Sequence, residues 1–190
     1  MNAYIRELIG KLERTEIWDK EKKRESYDEG IQLLLSRFTE HKEKSSQVFF
    51  IGNGGSSAIA SHMTADFMKN GGMNTYSLYD NAVTTCMGND YGYEFIFSKP
   101  MEFLLREGDL VVAISSSGNS QNIVNAIEVA KQKQAEVITL TGFKPDNRVK
   151  SMGGINVYVP CEKYGIVESI HNLILQQIVD LIMERDGVRF

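Results

Sequence analysis

The chain predicts an α/β fold: a three-layer αβα sandwich, flavodoxin-like, with a five-stranded, mainly parallel sheet preceded by two N-terminal helices. Three observations predict it. Apolar residues recur at helical spacing up to about Lys44, five short runs rich in Val, Ile, Phe, Tyr and Thr follow, and turn signals with helical stretches separate those runs. Strands alternating with helices call for parallel pairing, because each crossover must return the chain to the same sheet edge.

The leading segment carries Ile5, Leu8, Ile9 and Leu12, then Ile31, Leu34, Leu35 and Phe38, which reads as two amphipathic helices. They hold more apolar surface than one small sheet needs, so residues 1–44 form a helical extension expected in a homo-oligomer interface. The strand runs are QVFFIG from Gln47, TYSLY from Thr75, DLVVAIS from Asp109, EVITLTG from Glu136 and INVYVP from Ile155. Such near-continuous apolar runs are what strands buried on both faces require. Helices are expected from about Ser56 to Met68, from Asn119 to Gln134, and from Ile166 to Glu184 with Ile170, Leu173, Ile174, Ile178 and Leu181 as core face. No repeat, low-complexity tract or long linker divides the chain, so residues 1–190 are read as one domain.

Composition narrows the function. A net charge of -4 with a pI near 5.5 gives no general attraction to nucleic acid or an anionic membrane surface, so an anion must be held locally. Cys86 and Cys161 are too few for a disulfide framework and form no C-x-x-C pair, which points to a reducing cytoplasm. No segment is read as a membrane span, and the charged, amphipathic N-terminus is not a signal peptide.

Two strand-to-helix junctions carry the chemistry. At Gly52-Asn53-Gly54-Gly55-Ser56-Ser57, glycines permit close backbone approach, and a helix starting at Ser56 turns its unpaired N–H groups toward the carboxyl edge of the sheet. The spacing matches neither a Walker loop nor a dinucleotide fingerprint, so no nucleotide cofactor is expected. A tight turn with Ser56 as N-cap is the structural alternative. At Ser115-Ser116-Ser117-Gly118-Asn119-Ser120, hydroxyls and amides around a second helix start can surround a phosphate dianion without a lysine. A solvated turn is the alternative there, and the recurrence of one constellation at two junctions favours the phosphate.

With those motifs in view, Ile51 to His171 resembles the sugar isomerase (SIS) family and, within it, the phosphoheptose isomerases. The resemblance lies in GNGGSSAIASH (Gly52 to His62), MGNDYGYEFIFS (Met87 to Ser98), GDLVVAISSSGNSQNIVNAIEVAK (Gly108 to Lys131), VITLTG (Val137 to Gly142) and VESIH (Val167 to His171). It implies an aldose-ketose isomerase taking sedoheptulose 7-phosphate to D-glycero-D-manno-heptose 7-phosphate through an enediol, as a cytoplasmic homotetramer built as a dimer of dimers. It further implies that Asn53, Gly54, Gly55 and Ser56 line the sugar site, that Ser115, Ser116, Ser117 and Ser120 hold the phosphate, and that Asn89 and Asp90, in a loop, contact the substrate beside Tyr91 and Tyr93.

The family's catalytic and metal positions fall on His62, Asp66, Glu168 and Gln176, where similar isomerases have His, Glu, Gln and His. One His, two carboxylates and an amide oxygen suit a divalent ion such as zinc, and Glu168 or Asp66 is the candidate base, with His62 beside it. His171 is a further proton carrier or a structural His, and His41 reads as structural. Two function classes follow: the isomerase, and a sugar-phosphate-binding SIS protein without turnover that acts through protein partners, as replication-initiator-associating relatives do. A DNA-binding regulator is disfavoured for want of a helix-turn-helix segment and a basic patch.

Overall fold

The structure, a computed structural model, describes residues 2–19, 21 and 24–188. In chain order the elements are α1 (Ala3–Leu12), β1 (Glu16–Trp18), β2 (Arg24–Glu25), α2 (Tyr27–Glu43), β3 (Val48–Gly52), α3 (Gly55–Lys69), β4 (Thr75–Tyr76), α4 (Asn81–Asp90), α5 (Ser98–Leu104), β5 (Leu110–Ser115), α6 (Gln121–Gln132), β6 (Glu136–Thr141), β7 (Ile155–Tyr158) and α7 (Tyr164–Arg185). Two single 3-10 turns, Tyr93–Phe95 and Val149–Ser151, complete the chain.

Among the described residues the sheet has seven strands in the order β2-β1-β7-β6-β5-β3-β4, which corrects the expected five. The five expected runs form the parallel part, β7-β6-β5-β3-β4, and the additional strands are an antiparallel hairpin on the outer edge of β7. Three residues of β1 are too few to show a period. Pairing with β7, from Glu16 opposite Tyr158 to Trp18 opposite Asn156, holds them in place instead. Ile17 is fully buried against α2, where any Cβ at Gly30 would stand 2.7 Å from Ile17 Cβ, so the helix must be bare there.

Side chains alternate across the sheet, as the pleat requires. Val48, Phe50, Leu110, Val112, Ile114, Ile138 and Leu140 face one layer with residues of α2, α3 and α7. Phe49, Ile51, Val111, Ala113 and Val137 face the other, with α5 and α6. The first layer is keyed by a ring cluster, with Phe67 centred 4.6 Å from Phe38 and 5.1 Å from Phe50. Each of these fully buried rings contributes about 2 kcal/mol through burial.

Element boundaries differ instructively from expectation. TYSLY is a strand only at Thr75–Tyr76, and the chain then turns toward α4, whose N-cap Asp80 accepts a bond from Val83 N–H at 2.9 Å. Asn89 and Asp90 therefore end a helix and do not lie in a loop. The Gly-rich junction enters α3 at Gly55, with Gly54 at φ +55° as the N-cap, so Ser56 is a buried first-turn residue and not the cap. α6 begins at Gln121, two residues later than expected, with Ser120 in extended backbone as its N-cap. On α7, Ile170, Ile174 and Ile178 are buried, but Leu173 is 41% exposed and Leu181 is half-buried. α7 is also, by length and mean hydropathy alone, apolar enough to cross a bilayer, which the sequence reading did not anticipate; over half of that window is buried inside the fold.

His171 lies on the buried face of α7, fully inaccessible, and donates Nε2–H to the Thr141 carbonyl at 3.1 Å. Burial lowers its pKa from 6.5 to about 4, so it is neutral at physiological pH and cannot serve as the exposed proton carrier considered from sequence. Because the folded pKa is depressed, this stability is complete above pH 6.5 and is lost as pH falls toward 4. Urea unfolding of the protein is expected to weaken across that window, and His171→Gln to flatten the dependence; an equal slope in the variant would show that other groups govern it.

Candidate functional site

After β3 the chain passes through α3 to β4 on one side, then returns to β5 on the other side of β3. This reversal opens a crevice at the carboxyl ends of β3 and β5, where open parallel sheets bind ligands. The crevice is a cleft of ≈ 320 Å³ lined by Asn53, Gly54, Gly55, Ser56, Ser115, Ser116, Ser117, Ser120, Tyr164 and Glu168. Both loops thus meet in one place, with Glu168 brought in from α7.

Each half has a structural cause. Ser115 and Ser116 are buried at the end of β5, and the loop turns at Gly118, whose φ of +63° and collision-range approach to the Asn147 carboxamide both demand glycine. Val149 N–H bonds the Gly118 carbonyl at 2.9 Å, and Gly142 N–H bonds the Ser116 carbonyl at 3.0 Å, so the loop is fixed from behind. Ser120 is the N-cap of α6 yet makes no capping bond with its side chain, which leaves its hydroxyl available in the cleft. Ser116 Oγ is buried with no partner among the described residues. An orphan hydroxyl beside a free helix start is an unfilled donor set for an anion.

The opposite wall is held by amides. Asn53 and Asn122 bond reciprocally at 2.9 and 2.8 Å, and Tyr93 Oη donates to Asn53 Oδ1 at 3.0 Å. Glu168 lies so close to α3 that a Cβ at Gly55 would stand 2.6 Å from its Cδ. Burial raises the Glu168 carboxyl above its ordinary 4.5, since its charged form loses solvent there.

Other candidates lie elsewhere. His62 and Asp66, one turn apart on α3, approach at 3.4 Å, with His62 54% exposed, and neither lines the cleft. Gln176 lines a separate groove with Leu12, Tyr27 and Asn172. Among the described residues no three His, Cys, Asp or Glu side chains are grouped to hold a metal ion, so the four positions implied for zinc do not form a fitting site within this chain. Asn89 and Asp90 bond to each other at 2.8 Å on exposed helix and do not line the cleft. Tyr91 is exposed, with Lys99 Nζ 5.3 Å from its ring centre. His41 is buried between Ser46, at 2.7 Å, and Glu136, at 3.1 Å, as a structural bridge.

Sequence reasoning missed Tyr164, Asn122 and Asn147. Tyr164 would follow from starting the last helix half a turn earlier, whereas Asn122 and Asn147 act through contacts 69 and 29 residues away in sequence that carry no local signal.

Known proteins resemble this chain throughout. The profile described as SIS domain matches residues 14–142, and the chain belongs to the SIS domain family. Its relatives narrow that class. The phosphoheptose isomerase of Akkermansia muciniphila is 31% identical over 189 residues, 96% of each chain, and that of Enterobacter sp. is 38% identical over 149 residues, 75% of this chain and 77% of the relative. The solved phosphoheptose isomerase GmhA from Neisseria gonorrhoeae superposes with a TM-score of 0.80 at 29% identity over 95% of each chain, and the Francisella tularensis enzyme with 0.82 at 26% over 96%. Within the SIS domain family, this chain is a member of the phosphoheptose isomerases.

Removing Ser116's hydroxyl separates structure from binding. Ser116→Ala is expected to hold or raise the thermal midpoint, since a buried unpaired hydroxyl costs about 1–3 kcal/mol, while weakening inorganic phosphate binding by roughly tenfold or more. A lowered midpoint with unchanged affinity by calorimetry would make the hydroxyl structural.

Proposed function

We propose that this protein isomerises a ketose phosphate to an aldose phosphate, with sedoheptulose 7-phosphate to D-glycero-D-manno-heptose 7-phosphate as the reaction. The observation that carries the reading is one cleft holding an uncharged anion cradle, with the unpartnered Ser116 hydroxyl, across from a carboxylate of raised pKa. The full-length likeness to proteins named phosphoheptose isomerase supports it and does not favour binding without turnover.

In this reading Ser115, Ser116, Ser117 and Ser120, with the first N–H groups of α6, hold the phosphate. Glu168 is the base. Its ionised carboxylate takes a proton from C1 of the ketose, the C1–H electrons form the C1=C2 bond of an enediol, and the C2 carbonyl oxygen gains a proton. Loss of the O1 proton to water then forms the C1 aldehyde as the protonated Glu168 carboxyl returns its proton to C2; the proton O2 takes from water is matched by the one O1 gives up, so atoms and charge balance. N–H groups at the start of α3, beside Asn53, Gly54, Gly55 and Ser56, face the developing oxyanion and lower its energy. Asp66, paired with His62 outside the cleft, is a less direct candidate, and no step is routed through the metal set His62, Asp66, Glu168 and Gln176.

The same reading takes the chain as one domain, working in a reducing cytoplasm, with Cys86 and Cys161 both free thiols. Tyr4, Ile5 and Ile9 on α1 and Leu173 on α7 remain exposed, which supports assembly of identical chains into a tetramer through the N-terminal segment. Light scattering should return about four times 21.4 kDa; a monomeric mass would remove that assembly.

Glu168→Gln tests the base. Turnover should fall by about 100-fold or more, while phosphate affinity holds. The raised carboxyl makes ionised Glu168 a cost to folding: its favourable contribution is present below pH 4.5 and lost as pH rises through the folded pKa. The variant should therefore gain thermal stability at pH 7 and lose that advantage at pH 4. Full activity in the variant would transfer the role to Asp66.

A further inference from the structure

The cleft's first loop begins at a place where the sheet has run out. β4 pairs with β3 only at Val48 and Phe49, so beyond Phe49 that edge of β3 has no strand beside it. Gly52, the last residue of β3, pairs with β5 on its other side, opposite Ile114. On the bare edge a single phenol takes up both of its backbone polar groups. Tyr79 Oη accepts the Gly52 N–H at 2.6 Å and donates to the Gly52 carbonyl at 2.9 Å.

The ring that carries this hydroxyl is itself fixed. It is largely enclosed by both hydrophobic layers and packs edge-on against Phe97, with centroids 5.8 Å apart. Gly52 in turn lies against the first turn of α3, where a Cβ on it would stand 2.6 Å from the Ser56 carbonyl oxygen. Within that turn Gly55 meets Glu168.

We propose that Tyr79 is a positioning residue: its hydroxyl replaces the missing strand, clamps the end of β3, and so sets Gly55 and the start of α3 against the Glu168 carboxylate. This rests on the isomerase reading of the cleft, and it adds a role to a residue outside the cleft lining. The phosphate loop, held separately by Asn147, Val149 and Gly142, does not depend on the clamp.

Tyr79→Phe keeps the ring and removes only the hydroxyl. Expected are a kcat for sedoheptulose 7-phosphate lower by about 10–100-fold, with KM and inorganic phosphate affinity within about twofold of wild type. Amide hydrogen exchange in the peptide covering residues 50–57 should quicken, and that covering 115–120 should not. A kcat within about twofold of wild type, or an equal loss of kcat and phosphate affinity with exchange quickened throughout the chain, overturns the proposal. If wild type turns over no ketose phosphate, the isomerase reading fails by itself, and exchange at residues 50–57 alone decides the clamp: unchanged exchange in Tyr79→Phe refutes it.

Discussion

The meeting of Glu168 with the bare Cα of Gly55 is the contact on which the rest of the site depends. A carboxylate can lie against a helix start this closely only where the helix presents no side chain, and a methyl group at Gly55 would already overlap it. The contact brings a carboxylate of α7 against the start of α3 at the open end of the sheet. It also removes part of the solvent around Glu168, which is why its carboxyl is harder to ionise than an exposed one. The bare Cα thus leaves room for the Glu168 carboxylate at the helix start, and burial there raises its carboxyl above the ordinary value.

An acidic chain holding an anion needs donors that carry no net charge, and the topology provides them. At the chain reversal between β3 and β5, two helices start side by side, and each start leaves N–H groups without an intrahelical acceptor. Neither start is capped by a side chain. In α2, by contrast, Ser26 and Glu29 form a full capping box. The starts of α3 and α6 thus keep their first N–H groups free of side-chain caps beside the cleft.

The parallel core was legible because it is written in local patterns. Val48 to Ile51 and Leu110 to Ile114 are continuous apolar runs, buried on both faces as such runs predict. Both cleft loops were legible for a similar reason, since Gly and Ser clusters after a strand announce a helix start. What escaped was held by distant partners. β1 exists because of β7, Asn53 is oriented by Asn122, and Gly118 is pressed by Asn147, none of which is a neighbour in sequence. The expected metal set is not gathered in one place among the described residues, for the complementary reason. Helical spacing puts His62 beside Asp66, but nothing in spacing tells whether Gln176 on another helix turns toward them, and it lines a different groove.

Ser116 Oγ and His171 Nδ1 are both buried without a partner, yet they have different meanings. His171 already uses Nε2 on the Thr141 carbonyl, and its second nitrogen is shut inside the α7 face of the core, away from the cleft lining. Its unpaired nitrogen is the cost of docking α7 onto the end of β6, and neutrality keeps that cost small. Ser116 has a different position: its carbonyl is tied to Gly142, and the residue lines the cleft although its hydroxyl is itself buried. An unpaired group that adjoins a cleft can be satisfied by a ligand, whereas one enclosed in the core cannot. Through its carbonyl Ser116 is joined to Gly142, and the adjoining Thr141 carbonyl accepts from His171 on α7, the helix that carries Glu168.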